Sequence, residues 1–157
     1  MKRYLALGVV AVAMFAFPGV ASAQSGHFVG DQTCTDIGTQ ISCSGKVAGL
    51  GSTTFRIDVT AAGATADVEC TNPGENVAPG QSFTFTPTGT TGTQQTPRSG
   101  SFRYTNLTTT APTAPAGSCP NDKWTATVTD VTFTTATLSL FEGTSTTPSD
   151  TVTVTVQ

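Results

Sequence analysis

Few side chains in this sequence have types and spacings suited to chemistry. His27 is the only histidine. General acid–base catalysis draws on histidine most often, and His27 lies close to the expected start of the mature chain, where ends commonly fray. No Gly-x-Ser-x-Gly elbow accompanies it, so a serine hydrolase would have to be built on a frayed terminus. Asp67 and Glu69 could form a carboxylate pair for glycosidic chemistry. They stand two apart on an expected strand, however, so both point to one solvated face beside Arg56. Asp31 and Asp36 flank Cys34 without the acid spacing of a calcium loop. Cys34, Cys43, Cys70 and Cys119 contain no Cys-x-x-Cys pair, which argues against zinc. We therefore expect no catalytic residue, no metal ligand and no cofactor.

Two aromatic side chains are the candidate ligand contacts. Trp124 is the only tryptophan, and Tyr104 lies on another strand. Aromatic rings pack well on ligands and in cores alike. Trp124 shares its expected face with Ala126 and Val128, and Tyr104 shares its face with Phe102, so a core role is the plainer expectation for both. The Thr-x-Thr runs at Thr125–Thr129 and Thr151–Thr155 resemble flat threonine arrays that order water on ice-binding surfaces. The plainer expectation is the outer face of a sheet. Thr108 to Ala116 is rich in Thr, Pro and Ala like an O-glycosylated linker, and Asn106-Leu107-Thr108 fits the N-glycosylation pattern. An ordinary flexible loop is the plainer expectation for the first, and the second matters only in a host with that machinery.

The elements that must position these side chains are strands. Removing the first 23 of the 157 residues leaves 134, one domain's worth. Of these, 33 are Thr, a β-branched residue at home on a pleated, half-exposed surface. Period-2 alternation recurs: Ile41, Cys43, Gly45 and Val47; Phe55, Ile57 and Val59; Ala64, Ala66, Val68 and Cys70; Phe83 and Phe85; Phe102 and Tyr104; Trp124, Ala126 and Val128; and Val152, Val154 and Val156. Val131 and Phe133 are odd whereas Leu138 and Leu140 are even, which calls for a bulge or bend near Thr134 to Ala136. Thr54–Val59 and Ala64–Cys70 read as a hairpin, with Val59 opposite Ala64, Gly63 at positive φ and Arg56 opposite Asp67. About eight short strands separated by turns predict an all-β, antiparallel β-sandwich of immunoglobulin-like type, with a small β-barrel as the alternative.

The N-terminus predicts export. Lys2 and Arg3 form a short bacterial-type n-region, Tyr4 to Phe17 is apolar, and Ala21-Ser22-Ala23 is a small-x-small cleavage site before Gln24. The apolar run is too short for a stable membrane anchor, and no hydrophobic C-terminal tail is seen. Residues 1–23 are thus expected to be a signal peptide and residues 24–157 a single secreted domain. The exported protein is expected to begin at Gln24, which N-terminal sequencing or intact mass checks; retained Phe15 or Phe17 would overturn it. An even cysteine count in an exported chain predicts two disulfides. We favour Cys34–Cys43, across a turn at Gly38, and Cys70–Cys119, joining two strand ends next to turn residues. The mature domain carries five basic and ten acidic residues, a net charge of −5, which disfavours nucleic-acid binding.

The stretch Trp124-Thr-Ala-Thr-Val-Thr-Asp-Val-Thr-Phe-Thr-Thr-Ala-Thr137 resembles one in small secreted actinobacterial proteins of unknown function. The resemblance implies a secreted β domain and no particular activity. The functional expectation is a secreted, non-enzymatic protein that acts by surface contact on an extracellular partner or the cell envelope. A small inhibitor of a foreign protease or glycosidase is the alternative, and a hydrolase the third.

Overall fold

The structure is a computed structural model that describes residues 25–157. The expected leader and the Ala23–Gln24 cleavage point lie outside the described residues. Among the described residues thirteen strands follow one another: β1 (His27–Phe28), β2 (Thr33–Asp36), β3 (Ile41–Ala48), β4 (Thr54–Thr60), β5 (Ala64–Thr71), β6 (Val77–Pro79), β7 (Phe83–Phe85), β8 (Thr88–Thr90), β9 (Gln94–Gln95), β10 (Phe102–Thr108), β11 (Thr125–Thr132), β12 (Thr135–Glu142) and β13 (Asp150–Thr155). The strands beyond the eight expected are short pieces of two to four residues, each held by pairing to one neighbouring strand.

These strands build an all-β, antiparallel sandwich from three sheets packed together. In the first, β3 pairs with β10 on one side and with β1 and β2 on the other. In the second, β5 lies between β11 and the pair β6 and β7. The third runs β13-β12-β4, with β8 and β9 completing the far edge. Two seams join the first and third sheets. Cys34 forms a parallel bridge with Val156, and Thr110 N donates to Thr88 O at 2.9 Å. Ile41, Cys43, Val47, Phe55, Ile57, Val59, Leu138 and Leu140 meet in the core between the sheets, all essentially without solvent exposure. Every alternating face assigned inward on β3, β4, β5 and β12 is inward.

The expected hairpin between β4 and β5 is not formed. Both edges of β4 are taken by β12 and by β8 with β9, and both edges of β5 by β11 and by β6 with β7. The chain crosses between sheets at Ala61-Ala62-Gly63. Ala61 is buried there and donates its N–H to Pro87 O at 3.1 Å, and Gly63 takes φ 70° as expected. Parity cannot separate the two arrangements: strands that face each other across a core show the same alternation as strands paired side by side. The anticipated bend near Thr134 is likewise a crossing, from β11 in the second sheet to β12 in the third. A register shift between Val128 and Asp130 has already moved the inward face of β11 from even to odd positions.

Both disulfides have the expected pairing. Cys34 and Cys43 are register partners on β2 and β3, with Cα atoms 4.1 Å apart. The turn between them is set by Asp36, whose Oδ1 accepts from Gly38 N, while Gly38 takes φ 97°. Cys70–Cys119 fastens the coil that precedes β11 onto the inner face of β5, where Ser118 is buried and Gln81 N donates to Ser118 O at 2.9 Å. Among the described residues, no helix is long and apolar enough to cross a membrane.

Candidate functional site: a threonine face and its groove

The outer face of the third sheet gathers the most regular set of polar side chains. On β4, the residues left outside by inward Phe55, Ile57 and Val59 are Arg56, Asp58 and Thr60. Register places Thr153, Thr137, Thr60 and Thr88 in one rank across β13, β12, β4 and β8, and Thr151, Ser139, Asp58 and Thr90 in the next. Neighbouring positions lie ~4.8 Å apart across strands and ~6.7 Å apart along them. Thr137 and Thr153 are in hydrogen-bond contact through their hydroxyls at 3.3 Å. Each threonine offers a hydroxyl that donates and accepts, beside a methyl group.

At the β8 edge this face turns into a groove of about 1120 Å³ between β4, β8 and the residues that follow β10. Thr60, Thr88, Thr90, Thr108 and Thr110 line it together with Gln40. Gln40 Nε2 donates to Thr109 O, and the buried Thr109 hydroxyl accepts from Ile41 N at 3.2 Å. These bonds fix the wall opposite β4. A second depression of about 320 Å³ shares Thr90 and Thr108 with the groove and adjoins it along the β8–β10 seam. Gly89 makes this seam possible, since a Cβ there would lie 2.1 Å from Thr108 O. Gly89→Ala is therefore expected to force the two backbones apart at a cost of about 1–3 kcal/mol. Chemical denaturation measures it, and an unchanged midpoint would show that the seam yields freely.

The charges in the groove neutralise each other. Arg56 Nε donates to Asp58 Oδ2 at 3.0 Å, with both side chains about one-third exposed. The Arg56 guanidinium also sits 3.9 Å from the ring centroid of Phe141, its register partner on β12, a cation–π arrangement. Asp58 Oδ1 is withdrawn from solvent and has no hydrogen-bond partner, a state that costs free energy unless a donor is supplied. The Arg56–Asp67 pair expected from the sequence does not exist. The two residues are on different sheets, and Asp67 Oδ1 instead accepts from Ser82 Oγ at 2.9 Å. In a double-mutant cycle Arg56 and Asp58 are expected to couple by about 0.2–1 kcal/mol, and Arg56 and Asp67 not at all. Coupling to Asp67 would restore the side-by-side register.

The other singled-out residues are scattered. His27 is exposed on β1, with Nδ1 near Ser25 O. Asp67 and Glu69 lie exposed on β5. Asp36 serves its turn, and among the described residues no three His, Cys, Asp or Glu side chains are arranged to hold a metal ion. Tyr104 is 3% exposed, and its hydroxyl donates to Gln32 Oε1 at 2.7 Å. Burial pushes its phenol well above the ordinary value, and almost none of the ring is left for a ligand. Trp124 is half-buried at the turn before β11, outside the main core, and its backbone N–H donates to Asn121 O. Neither aromatic lines the groove. Asn106 is exposed at positive φ in the β10 bulge.

Sequence reasoning missed Gln40, Asp58, Phe141 and the threonines of β8. The available signal was Arg56-x-Asp58 on one strand face, together with the polar positions alternating with Leu138, Leu140, Val152 and Val154. Which strands lie beside one another, and hence which threonines share a rank, is a tertiary fact. No protein-family model matches the chain, and neither a curated protein nor a solved structure matches it.

Proposed function

We propose that this is an exported, non-enzymatic β-sandwich that acts by surface contact, at the cell envelope or in the surrounding medium, through the outer face of its third sheet. The ranks Thr153-Thr137-Thr60-Thr88 and Thr151-Ser139-Asp58-Thr90 carry this reading. They form a regular surface of hydroxyls and methyls, in which the Arg56 and Asp58 charges are paired. Such a surface suits many weak, repeated contacts with a neutral partner. The two disulfides fit an oxidising compartment.

The test is retention on washed cell envelopes of the producing cell. The wild-type protein is expected in the medium and envelope fractions. Thr137→Lys/Thr153→Lys is expected to reduce envelope retention severalfold with only a small loss of stability from the two like charges set opposite each other, because both side chains point outward. Accumulation inside the cell, or retention indifferent to this double change, would overturn the proposal.

A further inference from the structure

We infer that the groove between β4, β8 and the segment after β10 binds a neutral, polyhydroxylated chain, an oligosaccharide of uncharged sugars. The inference rests on the surface-contact reading above and names the ligand class of its edge. Three observations converge on it.

The first is the donor and acceptor inventory. Thr60, Thr88, Thr90, Thr108, Thr110 and Gln40 line the groove. Gln40 spends an amide N–H on Thr109 O, and among the described residues no protein donor occupies its carbonyl oxygen, which remains an acceptor. A sugar presents the complementary surface, hydroxyls that donate and accept set among C–H groups, and threonine matches both parts.

The second is charge. Arg56 and Asp58 cancel through their 3.0 Å ion pair. An acidic or basic ligand would find no unbalanced counter-charge among the lining side chains, whereas a neutral one has no charge to desolvate. Asp58 Oδ1 is nevertheless an unused carboxylate acceptor in the groove wall. That oxygen is withdrawn from solvent, so the carboxyl group must turn, with Arg56 following its other oxygen, before a ligand hydroxyl can donate to it. Charge-assisted bonds of this kind are stronger than neutral ones, so Asp58 is the anchoring contact.

The third is shape. At about 1120 Å³ the groove exceeds the usual range for a small-molecule site. An open groove of this size suits several linked units better than one enclosed molecule.

The experiment titrates the mature, disulfide-bonded protein with hexasaccharides of glucose, xylose and N-acetylglucosamine, and with a galacturonic acid hexasaccharide as the charged comparison. Binding is followed by calorimetry and by NMR shifts. Saturable binding of at least one neutral hexasaccharide is expected, with shifts at Thr60, Thr88 and Thr110. Asp58→Ala is expected to weaken it about ten- to a hundredfold, the range for losing a hydrogen bond to a charged group. Thr60→Val/Thr88→Val keeps shape and β-branching, removes only hydroxyls, and is expected to weaken binding about fivefold or more. This second variant decides the matter if Asp58→Ala fails to fold. No saturable binding of any neutral hexasaccharide, tighter binding of the acidic one, or affinity unchanged in the threonine variant would overturn the inference. If envelope retention remains sensitive to Thr137→Lys/Thr153→Lys in any of those cases, surface contact stands and only the ligand assignment falls. If retention is insensitive as well, both fall.

Discussion

Replacing Cys70 and Cys119 together by alanine is expected to destabilise the domain by about 4 kcal/mol, the chain-entropy estimate for a closed loop of this length. The bond spans 49 positions, against 9 for Cys34–Cys43, for which the same estimate is about 2.7 kcal/mol. The structure adds a reason for the inequality. Cys34 and Cys43 are already neighbours on paired strands, and the C-terminus also holds β2, with Gln157 N donating to Cys34 O and Asp36 N to Gln157 O. The coil before β11 has fewer anchors: the Thr109 and Thr110 bonds at one end, and at the other the disulfide with the Ser118 carbonyl. Without the bond, the cover over Val68 and Cys70 is expected to loosen. Urea unfolding of the double variant measures the loss, and amide exchange should show β5 and β11 opening first. A loss below about 1 kcal/mol, or a larger loss from removing Cys34–Cys43, would contradict this account.

The second large effect is expected at Phe55. Its side chain is 1% exposed, and its ring meets that of Phe102 edge-on with centroids 5.0 Å apart. The contact joins β4 of the third sheet to β10 of the first, so it bridges the sandwich. Phe55→Ala is expected to cost about 3–5 kcal/mol through lost transfer energy and the cavity left behind. Phe102 is only partly buried, so Phe102→Ala is expected to cost less. The two should couple by about 0.5–1.5 kcal/mol in a double-mutant cycle. Additive losses would show that the rings do not act together. Because Phe55 and Arg56 are adjacent on β4 and face opposite ways, core damage at Phe55 should also loosen the groove wall.

Two carboxylates also hold the sheets together. Glu142 accepts from Gly26 N and Gly51 N, and Asp150 accepts from Phe28 N. These carboxylates tie β1 and the β3–β4 turn to the third sheet, a structural use that no local sequence pattern announces. The groove combines the two levels in one site. Arg56 and Asp58 are two apart on one strand and therefore visible as a pair in the sequence, whereas Gln40, Thr88 and Thr110 reach them only through the meeting of three separate segments.

The sequence alone determined what period-2 alternation and composition encode: an all-β sandwich, the inward faces of β3, β4, β5 and β12, the turns at Gly38 and Gly63, and the two disulfides. These follow from rules that act within a strand or a turn, where side-chain direction is set by backbone geometry. The tertiary structure alone decided which strands are neighbours. Thr54–Val59 and Ala64–Cys70 alternate as a hairpin would, yet they lie in different sheets. The hydrogen bonds that choose between pairing and facing come from β8, β11 and β12, far away in the chain. A strand's edge bonds carry no side-chain signature of their own, so partner choice is left to the global packing of the core. The threonine ranks, the Arg56–Asp58–Phe141 cluster and the groove all depend on that choice, and for that reason the candidate site emerged only with the fold.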